Sequence, residues 1–168
     1  MSSRPARRSR GMTAQRIITT LWFDGNAEDA AEHYCSIFDD ARIVGVVPYP
    51  EGTDKAGSAM TVEFELLGQR YVGLNGGPQF TFNEAISLQV QCRDQAEIDR
   101  YWDALLEGGE AGACGWLKDR YGLSWQIVPE SVDRYFAGDA QAAARAIQAM
   151  FGMRKLDIAA LEAARAGA

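Results

Sequence analysis

The chain has 168 residues, an apolar fraction of 47% and a formal net charge of −6. That length holds one domain with its own core, or two small modules sharing one, and that apolar fraction excludes a disordered chain. No apolar run approaches the ~18 residues of a bilayer span, and no apolar segment follows the basic start, so neither a membrane span nor a secretory signal is expected.

Residues 1–11 (MSSRPARRSRG) carry four arginines and no acid. They read as a flexible basic tail. The sharper reading, a nucleic-acid-binding arm, rests on arginines without interleaved aromatics. Taking those four arginines from the net −6 leaves −10 on the body. An acidic body repels phosphate backbones, so nucleic acid is not expected as the partner, nor is a membrane.

Two halves then share one pattern, offset by 68 residues. Ile17–Phe23 reads as a strand, and Asn26 caps a helix that runs to Phe38. Ala85–Gln91 repeats the strand, and Asp94 caps a helix to Glu107. Asn26 with Asp29, and Asp94 with Glu97, resemble helix-start boxes. Ala30, Tyr34, Ile37 and Phe38 make one apolar stripe; Ile98, Trp102, Leu105 and Leu106 repeat it. Three strands follow each helix: Arg42–Val47, Met60–Leu67 and Arg70–Asn75, then Glu110–Ala113, Trp116–Lys118 and Leu123–Val128. Asp119–Gly122 turns the last pair. The expected fold class is α+β, with paired βαβββ modules forming curved mixed sheets. Module one is 16–75 and module two 85–129, within a single domain of residues 12–168. Ser131–Ala137, Asp139–Met150 and Lys155–Arg165 read as C-terminal helices within 131–165, packed either on their own domain or on a partner.

Strand parity assigns the faces. Ile18, Thr20 and Trp22 are expected beneath the first helix, matching Ile86, Leu88 and Val90. Thr19, Leu21 and Phe23, and in the second copy Ser87, Gln89 and Gln91, take the opposite face. Met60, Val62, Phe64 and Leu66 are set against Thr61, Glu63 and Glu65. Leu123, Trp125 and Ile127 are set against Ser124, Gln126 and Val128. The polar faces either enclose a hollow or look into water.

The three cysteines, Cys35, Cys92 and Cys114, form no CxxC and no even framework, which implies reduced thiols and a cytoplasmic protein. His33, the single histidine, lies inside the first helix. It has no partner for a nucleophilic triad.

The doubled strand–helix–three-strand plan resembles the vicinal oxygen chelate (glyoxalase and bleomycin-resistance) superfamily. The runs ITTLWFDGNAEDAAEHY (Ile18–Tyr34), CGWLKDRYGLSWQIVP (Cys114–Pro129) and AMFGMRKLDIAALEAA (Ala149–Ala164) look like its PhnB-like branch, often labelled demethylubiquinone methyltransferase-like. The resemblance covers about residues 13–164. It implies a homodimer, often with exchanged modules. It also implies metal-ligand positions at Thr19, Val72, Ser87 and Gln126, and threonine, valine, serine and glutamine do not make a tight transition-metal site. No metal and no cofactor is therefore expected; a weak Mg or Mn site near Glu63 and Glu65 stays open. The label's methyl transfer finds no motif. Gly73–Gly77 (GLNGG) is not followed by a helix, as a nucleotide-binding turn would be.

Three functions follow, the last of them an interaction module without a ligand. One is metal-free binding of a small, aromatic or cationic molecule in the hollow, lined by Thr19, Phe23, Glu63, Ser87, Gln89, Trp116 and Gln126. The alternative is an enzyme, a lyase or isomerase or a weakly metal-dependent glyoxalase-like protein, with Glu63 as the candidate catalytic base.

Overall fold

The computed structural model describes residues 15–168, so the basic tail of residues 1–11 lies outside the described residues. The elements run β1 (Thr19–Phe23), α1 (Ala27–Ile37), β2 (Arg42–Pro48), β3 (Ala59–Leu66), β4 (Gln69–Asn75), β5 (Leu88–Cys92), α2 (Gln95–Leu106), β6 (Glu110–Ala111), β7 (Trp116–Lys118) and β8 (Ser124–Pro129). A 3₁₀ turn (Val132–Tyr135) and two helices, α3 (Ala140–Phe151) and α4 (Ile158–Ala166), complete the chain. The two sheets have the same topology, β1-β4-β3-β2 and β5-β8-β7-β6. The first strand of each lies parallel to its last, and the other pairs are antiparallel. The α+β fold of paired βαβββ modules with C-terminal helices is thus present.

One core joins the modules. From module one it takes Leu21, Phe23, Tyr34, Phe38, Val62 and Phe64; from module two, Ile98, Trp102, Leu105, Leu117, Trp125 and Ile127. Phe38 stacks on both Tyr101 and Trp125, with ring centroids 4.9 and 5.5 Å away. At its centre lies Asp119, which is 3% exposed. Its Oδ1 accepts the amides of Tyr121 (2.9 Å) and Leu123 (3.0 Å), closing the β7–β8 turn. Its Oδ2 accepts the Tyr34 hydroxyl (2.7 Å) from α1 and the Trp125 indole N–H (2.8 Å) from β8. A buried carboxylate needs such partners, because its desolvation is otherwise uncompensated. Burial, and then the Asp119 charge, push the Tyr34 phenol well above its ordinary range, so it stays a neutral donor.

Two sequence expectations need correction. On β1 the helix-facing residues are Leu21 and Phe23, buried at 5% and 3%, whereas Thr20 is exposed and Trp22 half-buried. Phe23 therefore belongs to the core and not to a hollow. Phe23 and Cys92 end their strands equivalently, but Asp24–Gly25 precede the Asn26 cap whereas only Arg93 precedes Asp94. Gly25 supplies the extra residue at φ +85°, a conformation natural to glycine. Matching the modules by helix starts slips β1 by one residue, and a one-residue slip exchanges the faces of a strand. The second correction concerns the α1 cap. The Asn26 side chain makes no cap hydrogen bond. Asn75 of β4 does so instead, its Oδ1 accepting the Ala27 amide at 2.9 Å while its Nδ2 donates to the Ala59 carbonyl. Asp94 does cap α2, accepting the Glu97 amide at 2.9 Å.

The C-terminal helices cap their own domain through a second cluster of Val128, Tyr135, Ala146, Met150, Leu156 and Leu161. The amides of Cys114 and Gly115 donate to the Met153 and Arg154 carbonyls at 2.8 and 2.7 Å. Gln95 ties α2 to α4, donating to the Leu156 carbonyl and accepting the Ile158 amide.

Asp119→Ala strands the Tyr34 hydroxyl and the Trp125 indole together, since neither has a second acceptor in reach of that carboxylate. Urea unfolding is expected to show a loss of about 3 kcal/mol or more, and a loss under about 1 kcal/mol would contradict this account of the core.

Candidate functional site

The helix-free face of the module-two sheet collects polar side chains in transverse rows, because partners across a ladder point the same way. In one row Gln89 of β5, Gln126 of β8 and Trp116 of β7 are successive partners. In the next, Ser124 pairs with Lys118, which pairs with Glu110 of β6. Gln126 Nε2 donates to Ser87 Oγ at 2.8 Å. The structure thus brings together four of the residues expected to line the hollow: Ser87, Gln89, Trp116 and Gln126. Beside them lies a cavity of about 190 Å³, lined among others by Trp116, Lys118, Ser124, Glu84 and Glu110.

The other expected residues lie elsewhere. Glu63 is on β3 of the first sheet, and the Arg70 guanidinium holds its carboxylate. Glu65 is likewise paired with Arg42, at 2.8 Å. Thr19 is exposed and borders a different cavity, of about 380 Å³, with Trp22, Phe82 and Ile86. Since Phe23 corresponds to Cys92, the counterpart of Ser87 is Ile18 and not Thr19. The register agrees: Thr20 pairs with Val72 as Gln89 pairs with Gln126. The four positions at which the resemblance implies ligands are therefore Ile18, Val72, Ser87 and Gln126. They offer no carboxylate, imidazole or thiolate. Among the described residues no group of three or more His, Cys, Asp or Glu is placed to hold an ion. The residues present do not fit a transition metal.

The glycine stretch Gly73–Gly77 has a packing role. A Cβ at Gly76 would lie 2.1 Å from the Trp22 ring, whose indole N–H donates to the Gly77 carbonyl at 2.8 Å. From there the chain runs on without a helix to β5.

Two features of this region are not visible in sequence. Ser124 is 0% exposed, and its Oγ has no hydrogen-bond partner. Strand parity places it on the inner face, but nothing in the sequence marks it as covered. Glu84, in the segment between the modules, bridges to Lys118 across the sheet. That contact joins the connecting segment to a strand 34 positions further on, and local patterning does not report it.

His33 is half-buried on α1, with its Nε2 covered and unpartnered and its ring 5.9 Å from that of Tyr121. Burial, and then the nearby Arg120 charge, lower its pKa from the ordinary 6.5.

The fold defines a protein of the vicinal oxygen chelate superfamily. Solved structures with this arrangement include a FosX fosfomycin resistance protein of Mesorhizobium loti, at 15% identity and a TM-score of 0.54, covering 76% of this chain and 100% of that one. PA1353 of Pseudomonas aeruginosa aligns at 20% identity and a TM-score of 0.59, over 69% of this chain and 98% of the other. At such identities the likeness is one of fold. The PhnB protein of Bacillus cereus, described as a 3-demethylubiquinone-9 3-methyltransferase, is 35% identical with a TM-score of 0.63, over 68% of this chain and 99% of that one. The family model of 3-demethylubiquinone-9 3-methyltransferase matches residues 15–128, and the chain belongs to this PhnB-like family. No curated protein matches it.

His33 gives a direct check on the electrostatics. Its folded pKa lies below its unfolded one, so the unfolded chain binds this proton more tightly. The stabilising share of neutral His33 is complete above 6.5 and is lost as pH falls through the lowered folded value. An NMR titration of the single imidazole should give a midpoint under 6.5 in the native protein, and His33→Gln should remove its part of the acid-side stability loss.

Proposed function

We propose that this protein binds a small organic molecule on the inner face of its module-two sheet, without a transition metal. The observation that carries this reading is the Gln126–Ser87 hydrogen bond, which joins two of the fold's ligand positions with neutral groups. Gln89 and Trp116 flank it in register, and a cavity adjoins it. An apolar wall with a few convergent polar groups is the usual composition of a small-molecule site.

The carboxylate-base reading draws less support, because Glu63 is engaged by Arg70 on the other sheet. Methyl transfer, the activity in the family's description, draws none from Gly73–Gly77, where Gly76 makes room for Trp22. The protein acts as a homodimer in the cytoplasm on this reading. Ile43, Val44, Val46 and Val47 on edge strand β2 support the dimer, being 37–52% exposed, as a surface that a second copy covers would be. The free thiols of Cys35, Cys92 and Cys114 suit a reducing compartment. No helix among the described residues is long and apolar enough to cross a membrane.

Metal analysis of purified protein is expected to find no stoichiometric zinc, nickel or iron; finding one would overturn the site. In a thermal-shift screen of small molecules, Gln126→Ala and Ser87→Ala are expected to shrink the melting-temperature rise of every hit. If both variants respond as the parent does, ligand binding lies elsewhere. Light scattering should return two chains per particle at micromolar concentration, and a single chain would remove the dimer.

A further inference from the structure

We infer that the connection between α3 and α4, residues 152–157, sets the position of Trp116, with Leu156 as the positioning residue. This rests on the small-molecule reading above in taking Trp116 as a wall of the site, and it makes the C-terminal helices part of what shapes that wall. Strand β7 by itself holds Trp116 weakly. It has three residues, and Trp116 is the first of them. The two residues of β6 pair with Lys118 and Leu117 and stop short of Trp116. The β8 ladder ends on the same residue, at its pairing with Gln126. The placing of Trp116 therefore falls to the segment before it.

That segment is bent in a way its sequence does not favour. Cys114 and Gly115 lie at φ +56° and +82°. Glycine takes such angles freely, whereas cysteine keeps one only where its surroundings impose it. Here the surroundings are the C-terminal helices and their connection. The Cys114 amide donates to the Met153 carbonyl at 2.8 Å, and the Gly115 amide to the Arg154 carbonyl at 2.7 Å. The Cys114 thiol donates to the Met150 carbonyl of α3 at 3.5 Å. Leu156, 0% exposed, packs against Gly115 so closely that a Cβ there would lie 3.2 Å from its Cδ1. The connection is in turn anchored on α2. Gln95 donates to the Leu156 carbonyl at 3.1 Å and accepts the Ile158 amide at 2.9 Å. Lys155 pairs with Asp99 and Asp103 at 3.1 and 3.0 Å. A strap fastened to α2 thus fixes the two residues that lead into Trp116.

The test needs no ligand, so its failure leaves the binding reading standing, and the failure of that reading does not decide it. Amide hydrogen exchange is compared between the full chain and its Leu156→Ala variant. The Cys114 and Gly115 amides are expected to gain at least about tenfold in exchange rate over those of Ala27 and Leu123, whose acceptors are the Asn75 and Asp119 side chains of the main core. A loss of global stability alone speeds all four alike. In protein carrying fluorinated tryptophan, the resonance that vanishes in Trp116→Phe is expected to shift in Leu156→Ala, while the one that vanishes in Trp22→Phe holds its place. Leu156→Met keeps the volume and should keep both signals at the parent values. Where Leu156→Ala does not fold, Gln95→Ala, which cuts the tie to α2, should move the same amides and the same resonance in the same direction. Equal acceleration of all four amides, or a Trp116 resonance that stays in place, overturns the inference.

Discussion

The Asp119 carboxylate holds this molecule in register. It draws donors from three directions: the amides of its own turn, the α1 tyrosine of module one and the β8 tryptophan of module two. Full satisfaction is what makes a charge tolerable at that depth, since an ion that leaves water is stabilised only by close, well-aligned partners. Each donor is thereby positioned as well. Trp125 is fixed against the core, and Ser124 and Gln126, its neighbours in sequence, are turned to the inner face. The roll of β8, and with it the candidate site, follows from an interaction on the opposite side of the sheet.

The inner face departs from its fold's metal chemistry in a patterned way. Ile18 and Val72 leave one pair of ligand positions apolar. Ser87 and Gln126 leave the other neutral and hydrogen-bonded to each other. A neutral amide and a hydroxyl recognise by geometry and do not pull an electron pair, so this face suits selection more than Lewis-acid activation. The charged groups nearby sit one row away, at the rim formed by Glu84, Glu110 and Lys118.

Much of the architecture is legible in the residues, and the failures have identifiable causes. The duplicated plan shows because two helices carry apolar stripes at helical spacing. The Asp119–Gly122 turn shows because aspartate and glycine suit its ends, and the Gly122 amide does bond the Asp119 carbonyl at 2.9 Å. Alternation in β3 and β8 gives the right helix-facing sets. The faces of β1 are the reverse of those expected because Gly25 lengthens one connection by a residue, an insertion that matching by helix caps does not register. Asn26 looks like a cap, yet Asn75 caps from 48 positions away, and no local rule sees such a partner. Of the expected site residues, those on β5, β7 and β8 and the adjoining Ser87 gather, being set by one ladder. Glu63, Thr19 and Phe23 do not, because their assignment required the first sheet to present its faces in step with the second.

The C-terminal helices lie beyond the part of the chain that matches the family, which ends at residue 128. They are nonetheless bonded to the segment that leads into β7, at a tightly packed glycine. Gly115 sits at φ +82°, and a Cβ there would come within 2.8 Å of the Ile127 carbonyl. Its amide and that of Cys114 are spoken for by the α3–α4 connection. Excising the appendage would uncover Val128 and release the segment that leads into Trp116. The stretch that matches the family model and the stretch that packs together therefore end at different residues.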